Sequence, residues 1–288
     1  MPWHTLLVMS EALKRINSLS PSRANDFKTC PLLYRYKTID RLPEPPSSDA
    51  LRGTIVHEAL ERIYDLPQGT RTIEHAHNFM NAAWTNAIAE DEKVTELFAG
   101  QNEIEIWLES GRELINRYFL LEDPNSLQPT EREVHVEFLL DSGLLLHGYV
   151  DRLDQARTGE IRIVDYKTGK SPKEGYEDKA FFQLKFYALV IWRSRGTAPK
   201  VLKLIYLGNS QTLPLEIDES DLLAVERSIS ALWSSIKQNH LSGNWPATPS
   251  RLCDWCSFKQ FCPSFGGTLL PLPPVPPVPE SLNGEAIR

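Results

Sequence analysis

Asp165-Tyr166-Lys167 sets a carboxylate and an ammonium two residues apart, directly after the apolar pair Ile161 and Ile163. In an extended strand, residues i and i+2 share a face, so both charges point the same way where the strand leaves the core. Asp151 closes a neighbouring strand, within Gly148-Tyr149-Val150-Asp151. Two aspartates on adjacent strands make a hard-oxygen site of the kind that suits Mg2+. A cation held there would polarise a phosphate oxygen and lower the pKa of bound water. Lys167 would orient that water or stabilise charge developing on the phosphate. Taken alone, D-x-K is equally the pattern of a solvated surface ion pair.

The second chemical feature is the use of cysteine. Cys30 stands alone, whereas Cys253, Cys256 and Cys262 form a C-x2-C-x5-C cluster. One remote thiol and a compact trio predict a metal centre that ties distant parts of the chain together. Two disulfides are the alternative. The apolar run Leu6-Leu7-Val8-Met9 is too short for a secretory h-region, so a reducing cytoplasmic setting is expected and disulfides are not. Structural zinc and a 4Fe-4S cluster both take four thiolates, and spacing alone does not choose between them.

With 288 residues and 41% hydrophobic content, the chain can bury a large core. It has no apolar run long enough to predict a membrane span. A net charge of −7 argues against coating nucleic acid by bulk electrostatics, although a local basic groove is compatible with it.

The elements that must position these groups follow from periodicity. Ser20-Pro21-Ser22 starts a helix that Cys30-Pro31 ends. Ile55, Ala59, Leu60 and Ile63 recur at helical spacing over 51–65, with His57 at the margin of the stripe. Further helices fill 72–121, with Phe79, Trp84, Ile88, Phe98, Ile104, Trp107, Leu108, Leu114, Ile115 and Tyr118 as expected core. The period becomes two at Glu131, where Val134, Val136, Phe138 and Leu140 predict a strand. Strands over 144–153 and 161–167 complete an antiparallel meander. A helix over 179–193, a strand over 201–207 and an amphipathic helix over 218–237 follow. The predicted class is α/β, with a core of helix, three-strand meander, helix and strand. A helical layer is inserted at 72–121. Residues 1–265 are expected to form one domain with its metal staple, and 266–288 a Pro-rich tail.

Taken together, the motifs resemble the PD-(D/E)xK nuclease superfamily, in particular its RecB-like branch carrying a four-cysteine iron-sulfur cluster. An opening Ser-x-Ser leads to Cys30-Pro31-Leu32-Leu33-Tyr34, similar to the segment with the family's first cluster cysteine. Gly53-Thr54-Ile55-Val56-His57 matches its G-x-x-x-H helix and Gly148-Tyr149-Val150-Asp151-Arg152 its G-x-I-D-R strand. Asp165-Tyr166-Lys167-Thr168-Gly169 matches D-Y-K-T-G, and Gln183-Leu184-Lys185-Phe186-Tyr187 matches the Q-x-x-x-Y helix. The resemblance spans roughly residues 20–265, and the set is specific although each motif alone is weak. It implies a restriction-endonuclease-like core and a Mg2+- or Mn2+-dependent DNA nuclease with exonuclease action on single strands or duplex ends. Asp151, Asp165, His57 and the Tyr166 carbonyl would be metal ligands, with Lys167 as catalytic lysine. A 4Fe-4S cluster would sit on Cys30, Cys253, Cys256 and Cys262. Service in DNA repair or recombination is also implied, and so is a helicase or repair-complex partner.

Several residues keep two readings. A histidine at a helix margin is commonly structural, and only its motif makes His57 a candidate ligand. Glu133 and Glu137 compete for the glutamate position before the first strand, and ordinary solvated glutamates would look the same. Gln183 and Tyr187, one helical turn apart, can support the site, or Tyr187 can be core filling beside Phe181, Phe182, Phe186, Leu189 and Trp192. Gly169-Lys170-Ser171 echoes a phosphate-binding loop, but Val164 stands where that motif needs its first glycine. The Pro-rich tail reads as a linker or a docking peptide. A non-catalytic DNA-binding subunit and a zinc-stapled scaffold are the competing functional classes.

Overall fold

The computed structural model describes residues 17–175 and 177–273, which divide into two units: residues 17–22 with 46–233, and residues 23–45 with 234–273. In chain order the elements are β1 (Ser18–Leu19), α1 (Pro21–Thr29), α2 (Ser48–Arg62), α3 (Ile73–Glu90), α4 (Gln101–Leu121), β2 (Glu131–Leu139), β3 (Leu145–Gln155), β4 (Ile161–Lys167), α5 (Phe182–Arg195), β5 (Val201–Tyr206), β6 (Gln211–Glu216) and α6 (Glu219–Ser242). Local chemistry sets the boundaries. Ser47 and Thr72 cap α2 and α3 by accepting hydrogen bonds from the Ala50 and His75 amides. Gly196, at φ 74°, ends α5 in the left-handed conformation that glycine adopts without strain.

In the first unit, the described strands form a six-stranded mixed sheet. β2, β3 and β4 are the expected antiparallel meander, and β5 runs parallel to β4 after the α5 crossover. β3 is long enough to take two partners along one edge. Its first residues pair with β1 (Ser18 with Leu145) and its last with β4 (Arg152 with Val164). A gap between neighbours therefore falls close to Asp151.

Two strands were not expected. β1 is only two residues long, below what periodicity can register. β6 contains Pro214, which argues against a strand, but β6 pairs only with β5 at the sheet edge, where a missing amide donor is tolerated.

Helices α2, α3 and α4 pack on the sheet through one continuous core in which Ile55, Leu60, Met80, Trp84, Trp107 and Tyr118 meet Val164, Tyr166, Ile205 and Leu207. Trp84, Phe98 and Trp107 form an aromatic trio with centroids 5.1–6.0 Å apart. α5 packs against β2, β3 and β4 and is apolar nearly all round, with Phe186 to Ile191 buried in succession.

The second unit is organised around Trp245, which stacks on Tyr34 at 5.8 Å and meets Phe27 edge-on. Arg35 is buried, pairing with Asp40 at 2.9 Å and donating to the Leu270 carbonyl. Tyr36 donates to the Phe261 carbonyl at 2.6 Å. Of the Pro-rich tail, 274–288 lie outside the described residues, as does the Leu6–Met9 run. Among the described residues no helix is long and apolar enough to cross a membrane.

Candidate active site

Ile163 to Tyr166 of β4 are buried in succession, so its two faces are sorted by what they meet. Val164 and Tyr166 belong to the core shared with α2–α4, while Asp165 and Lys167 occupy the alternate positions. Lys167 Nζ lies 2.6 Å from Asp165 Oδ2 and donates to Gln183 Oε1 at 2.8 Å. Gln183 Nε2 in turn donates to the Tyr187 hydroxyl at 3.2 Å. Both amide ends of Gln183 are thus committed, which fixes its orientation and leaves the lysine held from two sides.

Asp151 projects where the β3–β4 ladder ends. Its Oδ2 accepts the Tyr166 amide at 2.8 Å, doing the work of the next ladder hydrogen bond, and lies 3.4 Å from His57 Nδ1. His57 reaches this point from α2. Burial lowers its pKa, so the imidazole is neutral near pH 7 and keeps a lone pair for a cation. Glu133 is the third arrival. Ligand atoms of His57, Glu133 and Asp151 all lie within 4.8 Å of one another. Glu133 sits at φ 42°, in the left-handed region that β2 would otherwise avoid. Backbone strain of this kind, of order 1–3 kcal/mol, persists where surrounding structure enforces it and clusters at functional sites. Glu137 is exposed and pairs across the sheet with His147, away from this group.

The charges press on one another. Burial raises the Asp165 carboxyl to about 6, with Asp151 adding to the rise. Burial likewise raises Asp151 to about 6. Glu133 rises to about 7, first through burial and then through the charges of Asp151, Glu61 and Asp165. Asp165 Oδ2 is buried and accepts no well-aligned hydrogen bond, although Lys167 is in ion-pair contact. Three crowded carboxylates and a neutral imidazole are a donor set that a hard divalent cation fits. Of the expected ligands, His57 and Asp151 meet here with Glu133, while Asp165 stands outside that trio and pairs with Lys167.

Three participants carried no assigned role in the sequence. Glu61, four residues after His57 on α2, lines the same cleft as His57 and Glu133. Its helical spacing from His57 was the available signal. Gly148 lacks a side chain because one would collide with α5: a Cβ there would fall 2.4 Å from Tyr187 Cε1. The G-x-x-D and Q-x-x-x-Y motifs are therefore one steric unit. Arg152, only 1% exposed, is the third. It forms ion pairs with Glu122 and Asp154 and donates to the hydroxyls of Tyr64, Tyr118 and Tyr166. This buried fan links the turn after α2, the end of α4, β3 and β4.

In the second unit, all four cysteines line one cavity of about 210 Å³ with Tyr36, Phe258 and Lys259. The thiols are free, and Cys30 and Cys253 accept backbone hydrogen bonds from Thr248 (3.4 Å) and Ser250 (3.3 Å). Gly267 closes the cysteine loop, its amide bonding to the Cys262 carbonyl, where a Cβ would lie 2.3 Å from Gln260 O.

The Gene 69 protein of Mycobacterium phage D29 is 25% identical over 270 residues, covering 85% of this chain and 96% of its own. Its counterpart from Mycobacterium phage L5 is 23% identical over 287 residues with the same coverage. The crystal structure of the "Putative exonuclease" of Eubacterium rectale superposes with a TM-score of 0.55 over 96% of both chains at 13% identity, a likeness of fold. A profile of the PD-(D/E)XK nuclease superfamily matches residues 18–263, nearly all of the described chain, so the protein belongs to that superfamily.

Proposed function

We propose that this protein is a RecB-like, divalent-metal-dependent deoxyribonuclease that hydrolyses phosphodiester bonds from DNA ends, in repair, recombination or related DNA processing. The observation that carries the reading is the meeting of His57, Glu133 and Asp151 beside a lysine held by Asp165 and Gln183. Members of this superfamily use divalent metals. Mg2+ or Mn2+ would be held by His57, Asp151, Glu133 and Asp165, with the Tyr166 carbonyl as a further donor, and would supply Lewis-acid polarisation of the phosphate and an acidified water. Lys167 orients that water and offsets charge on the phosphate, Gln183 aims the lysine, and Tyr187 fixes Gln183. A cleft beyond the end of β4 is lined by Lys170 and by Arg52 and Arg117, which are paired with Asp49 and Glu113, and offers cationic groups to a phosphate backbone.

A structural 4Fe-4S cluster on Cys30, Cys253, Cys256 and Cys262 completes the reading. The cavity that the four thiols line is several water volumes in size, and among the described residues no three cysteine sulfurs lie within 4.8 Å of one another. A single zinc with bonds of about 2.3 Å would draw its thiolates to within about 4 Å of each other. Such a cluster suits a reducing cytoplasm, and any unwinding would fall to a helicase partner. Incubating the protein with end-labelled linear DNA and with circular single-stranded DNA, in Mg2+ or Mn2+, tests the reading. Metal-dependent loss of linear DNA with circles spared is expected. Cleavage of circles would replace exonuclease with endonuclease action, and no cleavage of either would overturn the function.

A further inference from the structure

The register of β2 against β3 extends the metal group into a ladder. Glu133 and Asp151 fall between the pairs Arg132–Arg152 and Val134–Val150, so they face each other across the two strands. Two residues further along each strand comes the pair His135–Tyr149, and two further again Glu137–His147. Each step is about 6.8 Å, comparable with one nucleotide of an extended single strand. His135 is exposed, and Tyr149 is 59% exposed despite its size. Their rings lie 5.0 Å apart and His147 follows at 6.3 Å from His135, forming an aromatic ledge that begins one step from the candidate cation site.

We propose that His135 and Tyr149 form a stacking platform for the bases of a single strand whose phosphate lies at the His57–Glu133–Asp151 site. The proposal rests on the nuclease reading and adds to it a single-strand preference at the reacting end. Aromatic faces take any base, so the platform confers no sequence preference, and bases locked in an intact duplex cannot reach it. Cross-strand aromatic pairs also stabilise a sheet by themselves. That ordinary role would leave substrate affinity untouched, and the test must separate the two.

The experiment uses the full chain in Mn2+ with a single-stranded oligonucleotide, comparing the parent with Tyr149→Ala, His135→Ala and Tyr149→Phe, each checked for an unchanged melting profile. In the Lys167→Met background, binding is read by a 2-aminopurine placed one or two nucleotides from the end, whose fluorescence responds to stacking. Loss of one stacked base corresponds to about 5- to 150-fold in affinity. Tyr149→Ala should raise KM in that range and far more than it lowers kcat. Tyr149→Phe should restore parental KM, and the fluorescence change should vanish only in the alanine variants. An active parent with unmoved KM and fluorescence in the alanine variants would sink the platform alone. A parent that cuts nothing would sink the nuclease reading and the platform with it.

Discussion

Gly148→Ala is the smallest change that should couple the sheet to the catalytic lysine. The added methyl would stand 2.4 Å from Tyr187 Cε1 and 3.2 Å from its hydroxyl. Ordinary carbon contacts sit at about 3.5–4.0 Å, so the ring must retreat by more than about 1 Å. α5 is buried nearly all round, and overpacking of this kind costs about 1–3 kcal/mol. The retreat also stretches the 3.2 Å bond from Gln183 to the Tyr187 hydroxyl beyond hydrogen-bonding range, adding about 1 kcal/mol and freeing Gln183 from one of its two partners. Misplacing a catalytic group by about 1 Å can cost on the order of 100-fold, so kcat should fall about 10- to 100-fold. Denaturant unfolding and single-turnover cleavage read the two effects, and a double-mutant cycle with Tyr187→Ala isolates them. Truncating the tyrosine opens the space the methyl needs, so the double variant should be more stable than the two single losses predict by about 1–3 kcal/mol. Strictly additive losses would refute the steric coupling.

Three other outcomes follow from the same geometry. Asp151 and Asp165 sit near 6 against an ordinary 3.8. A carboxyl raised on folding favours the protonated state, so stability should fall as pH rises through about 4 to 6, by at most about 3 kcal/mol for either group alone. By calorimetry in metal-free buffer, Asp151→Asn should be more stable than the parent at pH 8 but not at pH 4, and added Mn2+ should close the gap. Arg152→Met would leave Glu122 and three tyrosine hydroxyls short of their shared donor and should cost about 3–5 kcal/mol in chemical denaturation. Arg152→Lys should rescue little, because an ammonium cannot span that fan. Cys256→Ser should abolish a broad absorbance near 400 nm, about where thiolate-to-iron charge transfer falls, and lower the melting temperature; a colourless, zinc-loaded parent would contradict the cluster.

The parts of the fold written as local patterns were legible in the sequence. Ile55, Ala59 and Leu60 of the stripe became the buried face of α2, with Ile63 buried in the turn after it, and the alternation from Val134 became β2. β6 was hidden because Pro214 looks like a strand breaker unless its edge position is known. Residues whose roles depend on distant partners were opaque. Gly148 looks like a flexible strand residue until Tyr187 is placed beside it, and Arg152 looks like motif punctuation until Glu122 arrives from α4. Glu133 could not be separated from Glu137 by composition, since only the register and the left-handed turn at Glu133 direct one of them to His57. Asp165 was read as a metal ligand beside Asp151, and its contact with Lys167 could be seen only in the folded chain.

Single-turnover cleavage of a labelled oligonucleotide by the cluster-loaded protein, with Lys167→Met and Asp165→Asn compared with the parent and Mn2+ binding measured on the same samples, tests the proposed chemistry most directly. Lys167→Met should bind Mn2+ and DNA and cleave at least about 100-fold more slowly, and Asp165→Asn should lose cleavage together with much of its Mn2+ affinity. Cleavage by folded Lys167→Met at the parental rate would contradict the assignment of this site.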